Sequence, residues 1–182
     1  ACRVIEAPPP AGSPPVELEV VSLLGPDEAP HRGLIYRRLL RRLGREAGRN
    51  RTTVVFANTR ALTEKITHDL RQTQTLGDDP EAVRAHHSAL DAGRRREVEA
   101  ALKEGRLRAV VTSTSLELGV DIGTADLTVQ VGLPGGVSRC LQRVGRSGHR
   151  VGVASRGVIL AATPAELAGA VVTAAAARDG RV

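Results

Sequence analysis

The 182 residues are 41% apolar and 25% charged, with a formal net charge of +6, which suits one globular domain with a sizeable core and excludes two generous ones. The basic excess is nearly all arginine, since Lys65 and Lys103 are the only lysines, and it fits a polyanionic partner. Phe56 and Tyr36 are the only aromatics, so aliphatic residues must fill the core, and stacking of bases on aromatic platforms is largely excluded.

Residues 1–15 hold two proline clusters, Pro8 to Pro10 and Pro14–Pro15. Such a stretch cannot continue a helix or a central strand, and it reads as an extended linker ahead of a domain spanning 16–182. Leu18 to Leu24 predicts a short apolar strand. His31 to Ala47 carries Ile35, Leu39 and Leu43 at helical spacing, with Arg38, Arg41, Arg42 and Arg45 facing elsewhere. The β-branched run Thr52 to Ala57 predicts a strand, followed by a helix with Leu62, Ile66 and Leu70 spaced by four. A polar loop over 73–81 leads to a strand at Ala82 to His86 and a charged helix from Ala92 to Glu104. Arg108 to Thr112 and Leu127 to Val131 predict buried strands, Ser138 to Val144 a short helix, and Gly157 to Ala161 a last strand. The final helix opens on Thr163-Pro164-Ala165-Glu166, which combines proline in the first turn with a capping box. This alternation indicates an α/β domain whose sheet is mostly parallel, with helices on both faces. Ligands of such folds bind at the carboxyl ends of the strands.

Three stretches fall at those ends. In Gln142-Arg143-Val144-Gly145-Arg146-Ser147-Gly148-His149-Arg150, helical spacing puts Val137, Leu141 and Val144 on one face and Arg139, Arg143 and Arg146 on the other. On a solvated face that like-charge row costs only about 0.2–0.5 kcal/mol per pair. Gly145 and Gly148 end the helix and let the backbone approach a ligand, with Arg146 and Arg150 beside it. Guanidinium forks suit phosphate, although an ordinary basic helix with a glycine cap accounts for the same residues. In Val110 to Gly123, a buried strand runs into Thr112-Ser113-Thr114-Ser115, whose hydroxyls and backbone N–H groups suit a phosphate backbone. Gly119 then gives a turn, and Asp121 suits sugar hydroxyls. Plain capping by Ser113 or Ser115, with Asp121 as a turn residue, is the alternative. In Val54 to Arg60 the strand ends in Asn58, Thr59 and Arg60, which helix capping explains equally well.

Taken together, these stretches resemble, in order and rough spacing, the fourth, fifth and sixth motifs of superfamily 2 helicases. Ala85-His86-His87-Ser88-Ala89-Leu90 resembles the strand-to-loop segment between them. Ser115-Leu116-Glu117-Leu118-Gly119-Val120-Asp121-Ile122-Gly123 and Gln142 through His149 are similar to the characteristic motifs of the large helicase-related (Lhr) family. The resemblance covers essentially the whole chain, and the proline-bearing start resembles the connector between that family's two motor domains.

The resemblance implies a RecA-like domain, the second of two that sandwich ATP while single-stranded DNA, or an RNA–DNA hybrid, lies across both. The first, N-terminal RecA-like domain would hold ATP and Mg2+. By position, Arg143 and Arg146 match the motif arginines that reach the γ-phosphate, Gln142 matches the leading glutamine, and Arg146 is the first choice for the finger. Gly119 and Asp121 fall at the nucleotide, where Asp121 matches a sugar contact. Asn58, Thr59, Arg60, His87, Ser88, Thr112, Ser113 and Thr114 match positions near the nucleic-acid backbone. Where many superfamily members have a second finger arginine, this chain has His149 followed by Arg150. Either Arg150 takes that role or His149 touches nucleic acid.

The sequence has no phosphate-binding loop of its own, because neither lysine follows a glycine or precedes a hydroxyl residue. Asp27-Glu28-Ala29-Pro30 superficially resembles a magnesium-binding motif, but Gly25-Pro26 interrupts the strand before it. His86-His87 suggests no metal, since adjacent strand residues face opposite ways and no partner ligand stands at metal spacing. Arg94-Arg95-Arg96 reads as a solvated face beside Glu97 and Glu99, and no serine–histidine–acid set stands out. Cys2 and Cys140 read as reduced thiols of a cytoplasmic protein, with no span for a membrane and no methionine to mark a start. The expectation is therefore one motor domain cut from a longer ATP-dependent DNA helicase and inactive alone. An RNA-directed or translocase-only motor and a non-catalytic nucleic-acid-binding module are the rivals.

Overall fold

The computed structural model describes residues 3–7, 16–25, 28–73, 76, 79–117, 125–147 and 154–179. Among them, seven strands alternate with five helices: β1 Arg3–Ala7, β2 Val16–Ser22, α1 Arg32–Arg49, β3 Thr53–Phe56, α2 Arg60–Gln72, β4 Val83–His86, α3 Ala92–Lys103, β5 Ala109–Thr112, β6 Leu127–Val131, α4 Val137–Val144, β7 Ser155–Ala161 and α5 Pro164–Arg178. They form one sheet in the order β1-β2-β7-β6-β3-β5-β4. All pairings are parallel except β1 with β2, which is antiparallel. Arg3–Ala7, inside the stretch expected as linker, is thus an edge strand, a position that tolerates neighbouring prolines.

Period-two alternation divides the core. Val21, Val55, Val129 and Leu160 point to the face covered by Leu39 and Leu43 of α1 and Ile66 and Leu70 of α2. Their neighbours point the other way. Val54, Phe56 and Val110 meet Val98 and Leu102 of α3, and Leu18, Val20 and Ile159 meet Cys140 and Val144 of α4 with Ala170 and Ala174 of α5. Strands buried on both faces read as continuous apolar runs, as β3 and β5 do. At Gly157 the sheet comes so close to α4 that a Cβ would lie 2.7 Å from Val144 Cγ2 and 2.9 Å from Leu18 Cδ2.

The amino-terminal ends of the central strands are laced together by backbone-directed bonds. Asp126 Oδ2 accepts from the N–H groups of Arg51 and Thr52 at 2.7 and 3.1 Å. Thr52 Oγ1 donates to Leu107 O at 3.0 Å, and the Arg108 guanidinium donates to Gly48 O at 2.9 Å. At the opposite end, α5 begins on Thr163, whose Oγ1 accepts from Glu166 N at 3.1 Å. The Glu166 carboxylate reaches one residue further back than a capping box requires, to Ala162 N at 2.7 Å.

Candidate functional site

The carboxyl ends of β3, β4 and β5, with α4, form one rim. At β3, Asn58 does not cap a helix. Its Nδ2 donates to Val131 O and Leu133 O at 3.3 Å each, tying the end of β3 to that of β6. Thr59 is the N-cap of α2, accepting from Leu62 N at 3.2 Å. Asn58, Thr59 and Arg60 are all exposed at this rim.

The hydroxyl run after β5 splits in two. Thr114 is exposed, whereas Thr112 is fully buried and Ser113 nearly so. Ser115 turns inward: its Oγ lies 2.7 Å from His86 Nδ1 and 3.2 Å from Thr112 Oγ1, and His86 Nε2 lies 3.0 Å from Glu99 Oε1. A neutral ring with its proton on Nε2 donates to Glu99 and accepts from Ser115, whose one hydroxyl proton lies between His86 Nδ1 at 2.7 Å and His86 O at 3.1 Å. Burial pushes the His86 pKa below its ordinary value, against the opposing pull of Glu99. The structure therefore forms a serine–histidine–acid chain that the sequence does not reveal. With His86 only 1% exposed, the chain pins the loop after β5 to β4 and α3.

His87, expected near nucleic acid, is also buried. Its Nε2 lies 2.5 Å from Glu64 Oε1 on α2. Ser88, next to it, is exposed.

On α4 the expected solvated arginine face is corrected. Arg139 is exposed and Arg146 half-buried, but Arg143 is 2% exposed. Its Nε and Nη2 both donate to Glu117 Oε1, at 2.8 and 2.5 Å, and its guanidinium sits 5.0 Å from the Phe56 ring centroid. Arg139 Nε stands 3.7 Å from Glu117 Oε2, and Arg146 Nη2 donates to Glu117 O at 2.6 Å. Glu117 thus gathers all three arginines, which relieves the repulsion a bare row would carry. Sequence reasoning assigned it no role, although a carboxylate set between two leucines, Leu116 and Leu118, was the available signal. Gln142 is exposed on the same helix.

Gly145 closes α4 in the right-handed region, φ −60°, and the chain tightens through Arg146 N to Arg143 O and Ser147 N to Val144 O. Ser147, also missed, is fully buried. Its Oγ donates to a carbonyl and accepts from Arg156 N at 2.8 Å, which stitches the end of α4 to β7. Gly119, Asp121, Gly148, His149 and Arg150 lie outside the described residues.

The Asp27–Pro30 decoy has a structural account at Glu28, whose carboxylate accepts from Arg38 and from Gly25 N. Among the described residues, no group of three or more His, Cys, Asp or Glu side chains could hold a metal ion, and no helix is long and apolar enough to cross a membrane.

Six parallel strands covered on both faces, with arginines and hydroxyls gathered at their carboxyl rim, define a RecA-like domain of the superfamily 2 helicase type. The profile of the helicase conserved C-terminal domain matches residues 35–151. The chain belongs to that family. It is 41% identical over 166 residues to the ATP-dependent helicase Lhr-Core protein 2 of Thermococcus barophilus, covering 91% of this chain and 19% of that one. It is 45% identical over 148 residues to the ATP-dependent helicase Lhr-Core of Methanocaldococcus jannaschii, covering 81% and 17%. The solved structure of Mycobacterium smegmatis helicase Lhr bound to ssDNA and AMP-PNP matches with a TM-score of 0.84 at 37% identity, over 94% of this chain and 22% of that one. The chain spans about a fifth of the length of these relatives.

Proposed function

We propose that this domain is the second motor domain of an ATP-dependent DNA helicase or translocase. It would present an arginine to ATP held by a first RecA-like domain and grip the single-strand backbone along its rim. The observation that carries the reading is Arg146, half-buried at the rim and aimed by the carbonyl of Glu117. A guanidinium held in place before the reaction stabilises charge developing on a transferring phosphoryl group without reorganising.

In this reading Arg143 is the support and Arg146 the finger. Arg143, buried on Glu117, fixes α4 against the loop after β5, so the two rim segments keep their spacing. The fit to a triphosphate rests on the donors Arg146 and Arg139. Mg2+, whose ligands are oxygens, is assigned to the first domain, together with the phosphate-binding loop. Arg60 and Thr114, both exposed, are the nearest candidates to contact a strand backbone without reading its bases.

Arg146→Ala in the full-length protein is expected to lower ATP turnover by about 10³–10⁵-fold, the range found for arginine fingers elsewhere, while nucleotide binding persists. Turnover that survives refutes the finger assignment. Residues 1–182 alone are expected to bind single strands weakly, with strong salt dependence, and to show no ATPase. A full-length protein that binds nucleic acid and turns over no ATP would favour the non-catalytic module.

A further inference from the structure

Helix α1 carries seven arginines and one glutamate, an excess equal to the formal net charge of the entire chain, +6. Outside this helix the charges cancel. Within it, Arg38 is held by Glu28, and Arg42 by Glu19 and Glu46. Arg37, Arg41, Arg45 and Arg49 recur every fourth residue, are all exposed, and form no ion pair among the described residues.

Residues four apart are neighbours on a helix, so this is a row of like charges that repel one another. The row runs about 18 Å along a rigid element. Since α1 joins the carboxyl end of β2 to the amino end of β3, it leads away from the rim toward the opposite edge of the sheet. There Arg45 and Arg49 join Arg42, Asn50 and Arg156 around a surface hollow of about 420 Å³. The two carboxylates in that hollow, Glu19 and Glu46, are both engaged by Arg42.

We infer that the α1 row is a second nucleic-acid contact, which holds the phosphate backbone of duplex DNA outside the single-strand track. A duplex fits better than a single strand for two reasons. Single strands gain much of their affinity from stacking on aromatics, and neither aromatic here offers an open ring: Phe56 is fully buried, and the half-buried Tyr36 ring carries Lys65 Nζ 4.4 Å from its centroid, with its hydroxyl tied to Asp69 at 2.7 Å. A duplex also offers phosphates at fixed spacing to a row that is itself fixed, with no base contact required. The inference rests on the nucleic-acid reading above, but not on the choice of finger.

The test is fluorescence anisotropy of the 182-residue chain against a blunt duplex and against a single strand, over a series of salt concentrations. In the variant R37Q/R41Q/R45Q/R49Q, the slope of log K against log salt for the duplex is expected to fall by up to about 3.6, at 0.9 per phosphate contact, and single-strand binding to change little. R45Q/R49Q, a milder variant, should lower the slope by up to about 1.8 should the fourfold change disturb folding, as judged by circular dichroism. A folded variant with the wild-type duplex slope overturns the inference and leaves the row to an acidic protein surface. Wild-type binding to neither probe at low salt would instead defeat the nucleic-acid reading itself.

Discussion

Arg143 and Glu117, 26 residues apart in sequence, meet beneath the rim in a fork whose two bonds measure 2.8 and 2.5 Å. Both side chains are withdrawn from solvent, at 2% and 10% exposure, so each charge depends on the other. Glu117→Ala strands a buried guanidinium, and the expected loss is about 3–5 kcal/mol in urea unfolding. Pairing Glu117→Leu with Arg143→Met removes both charges and should restore most of that stability, because desolvation no longer opposes folding. If Glu117→Ala unfolds at the wild-type midpoint, the fork has no energetic weight.

His86 makes stability depend on pH. Burial holds its pKa below the ordinary 6.5, so the unfolded chain takes up the proton first as pH falls. Its contribution is therefore complete above about pH 6.5 and is lost as pH drops through the depressed folded value. Melting temperature is expected to fall between about pH 7.5 and pH 5.5, and to fall less in His86→Gln, which keeps polar atoms toward Ser115 and Glu99. Identical drops in the two proteins would remove His86 as the cause.

Gly157 leaves no room for a side chain. In Gly157→Ala the new methyl overlaps Val144 and Leu18, and overpacking of this kind costs about 1–3 kcal/mol. Adding Val144→Ala should recover part of the loss, and the coupling can be read from a double-mutant cycle. Simple additivity would mean that the close approach is relieved elsewhere.

Cys140 is fully buried, and burial raises its thiol pKa to about 11. In Cys2→Ser protein, where it is the sole thiol, labelling by a thiol reagent should occur only at the rate of opening or unfolding. Fast labelling under native conditions would contradict the packing of α4 on the sheet.

Local pattern revealed the elements and the rim. Leu127–Val131 forms the strand its apolar run predicts, and Thr163 caps α5 as Thr-Pro-Ala-Glu indicates. What local pattern lacked was distance. A helical wheel places Arg143 among arginines because nothing near it in sequence shows that Glu117 lies above it. The Ser115–His86–Glu99 chain likewise joins three elements whose adjacency follows from sheet order. Edge strand β1 stayed hidden because its neighbouring prolines signal a chain without partners, and pairing with β2 cannot be read from one strand alone.

The lacing through Asp126, Thr52 and Arg108 has a mechanical meaning. A load applied at one end of the sheet meets an opposite end whose strands cannot slide past each other without breaking several bonds at once. Sliding of these strands against one another is therefore resisted at that end. A probe attached at Arg51, exposed in the loop between α1 and β3 with its backbone N–H held by Asp126, would report an opening of that seam.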